Sequence, residues 1–229
     1  MQKTLRIVAL VAVFGLIFFA LIKSSVTPAG LGEKVWNENM AFGDVDHATR
    51  HYIVYTDLMC PYCNYYARIS LSNLDELNEF IADHKIAYEI RVTDTLYEGN
   101  GVENSLPAAE GAYCAAREGR FLDYYSLAVT SLFEDYYSKG VGNSKTAEPI
   151  SDMARDYWLN LGKELELGEN FERCFEKREA VEEVHLATLK SSAVVGGLPF
   201  FVFGRYTNGG FDPNWNWSQV ETMLNAGLK

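Results

Sequence analysis

One stretch of about forty residues decides most of what this chain can fold into. His51-Tyr52-Ile53-Val54-Tyr55-Thr56 is rich in β-branched and aromatic side chains and reads as a strand. Asp57-Leu58-Met59-Cys60-Pro61-Tyr62-Cys63 then turns the chain into a helix running to about Ala82, with Leu71, Leu74, Leu77 and Ile81 at helical spacing. Ile86-Ala87-Tyr88-Glu89-Ile90-Arg91-Val92 follows as a second strand. A strand, a helix and a strand of these lengths form a βαβ unit with parallel strands, since the helix carries the chain back to its starting edge.

The rest of the chain is organised around that unit. From about Pro107 to Ser192 the pattern is helical throughout, with one apolar stripe at Phe121, Tyr125, Ala128 and Leu132. A second stripe runs through Met153, Tyr157, Leu161 and Leu165, and the loop Ser138–Pro149 separates the two. Leu198-Pro199-Phe200-Phe201-Val202-Phe203 reads as a third strand, Asn208-Gly209-Gly210 as a hairpin turn, and Trp217–Leu224 as a short closing helix. The expectation is an α/β domain over 47–229 in which a helical insertion at about 103–192 separates a βαβ half from a ββα half.

At 229 residues, with 48% hydrophobic and 14% aromatic residues, the chain can bury one good core. Its net charge of -11 argues against nonspecific nucleic-acid binding, which needs cations to replace phosphate counterions. At the N-terminus Lys3 and Arg6 precede an uncharged apolar run from Ile7 to Ile22, ended by Lys23. The run has no polar face, and Ser24-Ser25-Val26-Thr27-Pro28-Ala29 offers neither a small-x-small cleavage site nor a lipidation cysteine. We read 1–23 as a retained signal anchor forming one transmembrane helix, with a cleaved secretory signal as the alternative, and 24–46 as a tether. The basic head would stay in the cytoplasm, making a single-pass protein of the cell membrane with its domain outside.

Export changes how the four cysteines are read, because outside the cytoplasm they can pair. Two residues between Cys60 and Cys63, wound into a first helical turn, bring the sulfurs within bonding distance. Unpaired backbone N–H groups and the positive end of the helix dipole favour a thiolate on the first of them. Pro61 falls where its missing N–H costs nothing. Cys60 is then the exposed nucleophile and Cys63, one turn inward, the shielded resolving thiol. A zinc knuckle would need a second close pair of ligands, whereas Cys114 and Cys174 are single and distant and the four histidines are scattered. No metal and no cofactor are expected. A plain structural Cys60–Cys63 disulfide is the other alternative.

Several of these motifs resemble a known family. Gly43-x-x-Asp46-x-Ala48, the strand, and Tyr55-Thr56-Asp57-x-x-Cys60-Pro61-Tyr62-Cys63 are similar to the opening of bacterial DsbA-like oxidoreductases with a helical insertion. Ala108-Ala109-Glu110-Gly111-Ala112-Tyr113-Cys114-Ala115 with Gly119-Arg120-Phe121, and Phe171-x-x-Cys174-Phe175, resemble two insertion helices. Gly196-Gly197-Leu198-Pro199-Phe200-Phe201-Val202 resembles the loop and strand bearing the family's cis-proline. The resemblance spans about Gly43 to the C-terminus. It implies a thioredoxin-like fold, Cys60 and Cys63 as the redox pair, and a cis Pro199 beside them. Pro61, Tyr62 and Leu198 would meet the substrate, Leu198 through its backbone. The resemblance marks the helix positions of Cys114 and Cys174, where a structural disulfide is expected and two separate buried thiols are the alternative. The implied partners are exported unfolded or reduced proteins and a membrane reoxidase of the DsbB or vitamin K epoxide reductase type.

The sequence departs from the family pattern at two places. Six residues before the first cysteine, where the family usually carries an acid that relays the buried cysteine's proton, stands Val54. Asp57 is the nearest acid in sequence and the candidate relay, or else only a helix-start cap. The dipeptide is Pro-Tyr, so no imidazolium sits between the sulfurs. The leading function is a dithiol oxidase for exported proteins. A reductase or isomerase would use the same site, a binding or chaperone module would hold Cys60–Cys63 as a structural bond, and a glutathione-type enzyme is disfavoured by export and by the insertion.

Overall fold

The computed structural model describes residues 35–142, 150, 153–192, 197–204 and 206–229. Its strands are β1 (Ala41–Phe42), β2 (Arg50–Thr56), β3 (Ile86–Val92), β4 (Phe200–Phe203) and β5 (Tyr206–Gly209). Its helices are α1 (Pro61–Ser72), α2 (Leu74–Asp83), α3 (Thr95–Asn100), α4 (Ser105–Arg117) and α5 (Phe121–Asp135), followed by α6 (Asp156–Glu164), α7 (Glu169–Glu176), α8 (Val181–Ser192) and α9 (Trp217–Ala226). The apolar run Ile7–Ile22 lies outside the described residues; among those described, no helix is long and apolar enough to cross a membrane.

The five strands form one sheet in the order β1-β3-β2-β4-β5. β2 and β3 are parallel from Arg50 beside Ile86 to Thr56 beside Val92, as the βαβ spacing requires. The other pairings are antiparallel. Central strand β2 is covered on both sides, which explains its unbroken apolar run. On one face Tyr52, Val54, Tyr88, Phe201 and Phe203 pack against α1, α2 and α9 through Tyr66, Leu77, Ile81, Val220 and Leu224. Ile53, Tyr55, Phe200 and Val202 cluster on the opposite face.

The insertion between β3 and β4 builds its own core from α4 to α8. Leu58 and Met59 from the turn before Cys60, and Ala67 from α1, belong to that core, so insertion and sheet pack as one body at the site. Gly111 lets α4 and α5 approach closely: a Cβ there would clash with the Tyr124 hydroxyl, which donates to the Trp158 carbonyl. A disulfide joins Cys114 of α4 to Cys174 of α7, 60 residues apart.

Four details differ from the sequence reading. The helix after Cys63 breaks at Asn73, whose backbone leaves the helical region while its side-chain amide donates to the Ile69 carbonyl. The turn between β4 and β5 lies between Phe203 and Tyr206, not at Asn208-Gly209-Gly210, because pairing puts Asn208 and Gly209 opposite Phe201 and Phe200. Insertion helices begin at Thr95, ahead of residue 103. Lastly, the stretch from Trp36 to Phe42, expected as tether, is bound to the sheet. The Trp36 and Asn37 N–H groups both donate to Glu89 Oε1, and β1 follows them.

Glu89 and Arg91 are buried side by side on β3. Glu89 Oε2 accepts from Arg91 Nη2 at 2.8 Å and lies 3.0 Å from His51 Nε2, while Arg91 Nη1 donates to the Tyr55 hydroxyl. Burial alone would raise the Glu89 carboxyl, but its bonds to His51, Arg91 and Asn37 outweigh that and hold it below the ordinary value.

Candidate active site

The site lies where β2 ends. Its last residue, Thr56, leads into a turn closed by the Cys60 N–H donating to the Asp57 carbonyl at 3.0 Å, and α1 starts at Pro61. Cys60 is the N-cap of α1 in extended backbone, and no side chain caps that helix end. Proline at the first helical position gives up only an N–H that would have been unpaired there. Both cysteines are free thiols.

The two sulfurs are not equivalent. Cys60 keeps 5% of its surface exposed and Cys63 only 1%, so Cys60 is the more accessible of the two sulfurs. Cys60 is nonetheless more covered than a helix-start residue is expected to be. Its Sγ lies 3.9 Å from the Leu198 carbonyl oxygen, at the loop that carries the cis Leu198–Pro199 bond. Pro61, Tyr62 and Leu198 are half-buried around it, and Pro199 is buried. Burial pushes the Cys63 thiol well above its ordinary value, and the neighbouring Cys60 adds to the effect. Opposing this, the Asp57 backbone N–H points at Cys63 Sγ, 3.5 Å away, and Thr56 contributes a side-chain contact.

Asp57 therefore touches Cys63 through its backbone. Its carboxylate is occupied elsewhere: Oδ1 accepts from the Met59 N–H, and Oδ2 from the Leu96 N–H and the Ser105 hydroxyl. These bonds close the turn before Cys60 and tie it to the starts of α3 and α4. Burial raises the Asp57 carboxyl, its three hydrogen bonds oppose the rise and buried Asp94 adds to it, which leaves the group at about 6. Val54, at the strand position where the family carries an acid, packs in the apolar core beneath α1.

The insertion supplies side chains that sequence reasoning did not place at the site. Tyr137, in a short 3-10 turn after α5, donates to the Leu58 carbonyl at 3.4 Å. Tyr125 of α5 is held near Thr56 and Cys63, and Asn64 of α1 donates to the Val129 carbonyl at 2.8 Å. Burial raises the hydroxyls of both tyrosines, which stay neutral beside the sulfurs. Tyr125 sat in the expected apolar stripe, but nothing local distinguishes Tyr137 from its neighbour Tyr136.

No protein-family model matches the sequence, and no curated protein does. Solved structures do match. A thioredoxin-like oxidoreductase from Silicibacter pomeroyi is 19% identical over 81% of this chain and 90% of its own, with a TM-score of 0.53. Oxidised Mtb DsbA is 18% identical over 82% of this chain and 92% of its own, also at 0.53. Reduced DsbG from Mycobacterium tuberculosis is 16% identical over 82% and 91%, again at 0.53. Likeness at this identity concerns the fold, which is thioredoxin-like with a helical insertion.

Proposed function

We propose that this chain, built on the fold shared with DsbA-like oxidoreductases, exchanges disulfides with exported proteins and acts chiefly as a dithiol oxidase. The observation that carries the reading is the graded pair of sulfurs: Cys60 at an uncapped helix start against the Leu198 carbonyl, with Cys63 buried one turn behind. In the oxidising direction a client thiolate attacks Cys60 Sγ of the Cys60–Cys63 disulfide. The sulfur–sulfur bond breaks, and Cys63 leaves with the electron pair and takes up a proton, the form its burial favours. A second client thiolate attacks the client sulfur of the mixed disulfide and releases Cys60. The client gives up two electrons and two protons, and a membrane reoxidase of the DsbB or vitamin K epoxide reductase type removes them from the protein.

The same steps reversed describe a reductase or isomerase, and the reduction potential decides between the directions. Pro-Tyr between the sulfurs supports a donor less oxidising than one carrying an imidazole there. The proposal also puts the domain outside the cytoplasm on a single-pass anchor at Ile7–Ile22.

Substitution of each cysteine tests the site. Cys60→Ser is expected to abolish exchange, while Cys63→Ser retains the nucleophile, loses the resolving step and accumulates mixed disulfides with clients. Full oxidase activity in Cys60→Ser would overturn the assignment. A Cys60–Cys63 bond that resists glutathione buffers across the physiological range would favour a structural bond in a binding module.

A further inference from the structure

A groove of about 800 Å³ opens beside the site, between α1, the end of α5 and the segment entering α9. Tyr65, Phe133, Tyr137, Trp215 and Trp217 give it an aromatic lining, and Tyr137 connects it to the Leu58 carbonyl in the turn before Cys60. Arg68 is the one charged residue among those lining it, in a chain of net charge -11. Its guanidinium carbon stands 3.3 Å from the centre of the Phe133 ring. Among the described residues Arg68 has no carboxylate within ion-pair distance and no hydrogen-bond partner. A ring supports one face of the cation and leaves its N–H edges unused. Such a guanidinium, half-buried among aromatics, is matched by a carboxylate that arrives alongside an apolar side chain.

We infer that this groove receives an extended segment of the client chain bearing Asp or Glu beside an aromatic or large aliphatic residue, and that Arg68 is the specificity-determining residue. The inference rests on the oxidoreductase reading above and names the client class for that site. Arg68 lies eight residues along α1 from Cys60, a rise of about 12 Å. An extended client covers that distance in about four residues, so the acid belongs about four positions from the client cysteine. Electrostatic complementarity of this kind selects among partners more than it adds affinity.

Two measurements on the full-length chain test this, using synthetic decapeptides with one cysteine, one Phe, and Asp or Lys four positions away on either side. In the Cys60→Ser, Cys63→Ser double variant, binding is read from tryptophan fluorescence without redox chemistry. In Cys63→Ser with Cys60 carried as its mixed disulfide with thionitrobenzoate, the peptide thiolate forms a new bond to Cys60 Sγ and expels thionitrobenzoate, read by absorbance. In one of the two placements the Asp peptide is expected to bind and react about fivefold better than the Lys peptide, as for a partly shielded ion pair. Arg68→Glu should reverse that order. Equal binding of the Asp and Lys peptides in both placements, or an order unchanged in Arg68→Glu, would overturn the role of Arg68. If binding follows Arg68 while no peptide displaces thionitrobenzoate, the groove stands and the oxidoreductase reading falls. Displacement that proceeds at rates indifferent to Arg68 has the opposite meaning.

Discussion

Cys63 and Asp57 meet at the end of β2, and both are shaped first by burial. Removing water disfavours a charge on either, which raises the thiol and the carboxyl together. For Asp57 this has a sign that can be checked. Its folded-state pKa of about 6 exceeds the ordinary 3.8, so its contribution to stability is complete below pH 3.8 and is lost as pH rises through about 6. A shift of that size corresponds to roughly 2–3 kcal/mol. Asp57→Asn cannot titrate, so chemical denaturation at intervals from pH 3.5 to 7 should show the wild-type losing stability relative to the variant. Parallel curves would mean that the carboxylate is better solvated than its hydrogen bonds indicate. The same variant weakens the tie to Leu96 and Ser105, and exchange through Cys60 should slow as the turn before it loosens.

At the scale of elements, local signals were legible and remote partnerships were not. Cys60-Pro61-Tyr62-Cys63 between a strand and a helix carries its geometry within a dozen residues, as does the β2–α1–β3 unit. Leu96, Ser105 and Tyr137, which hold the turn before Cys60, arrive 39, 48 and 79 residues after their partners Asp57 and Leu58, and no spacing announces them. Asn208-Gly209 is a strong hairpin signal locally, yet the pairing of β4 with β2 fixed the turn elsewhere. The hold of Glu89 on Trp36 and Asn37 runs through backbone N–H groups, which every residue but proline has, so it left no trace in composition. Two stability outcomes follow from these elements. Replacing Cys114 and Cys174 by Ala reopens a 60-residue loop in the unfolded chain and should cost about 4 kcal/mol, read from the denaturant midpoint. Arg91→Leu leaves Glu89 buried without its guanidinium and should cost about 3–5 kcal/mol, whereas changing Glu89 and Arg91 together to apolar residues of similar volume removes the unpaired charge and should recover part of that, the Trp36 and Asn37 N–H groups and His51 then losing their acceptor. A double variant as unstable as Arg91→Leu would show that the network contributes more than mutual neutralisation.

For the whole molecule, the binding of Trp36, Asn37 and β1 to β3 would shorten the connection between the proposed anchor and the domain. A tether running from residue 24 to 46 would reach about 80 Å fully extended, but with Trp36 held at Glu89 a connection from residue 24 has about 12 residues to span and at most roughly 40 Å of reach. Under the proposed topology that keeps Cys60 close to the membrane, where a membrane reoxidase works, and restricts it to clients that come near the surface. Placement is checked by washing membranes with alkaline carbonate and by treating intact cells with a membrane-impermeant maleimide. Full-length protein should remain in the washed membranes, and Cys60 should be labelled without permeabilisation, with Cys60→Ser as the blank. Release by carbonate would remove the anchor, and labelling only after permeabilisation would remove the external placement. Lengthening the connection tests the reach itself. Forty flexible residues inserted after Lys23 should slow reoxidation of Cys60 and Cys63 in membranes by diluting the domain around its partner, while exchange with a soluble client peptide stays unchanged. Reoxidation at the wild-type rate would mean that proximity set by the tether plays no part in recharging the site.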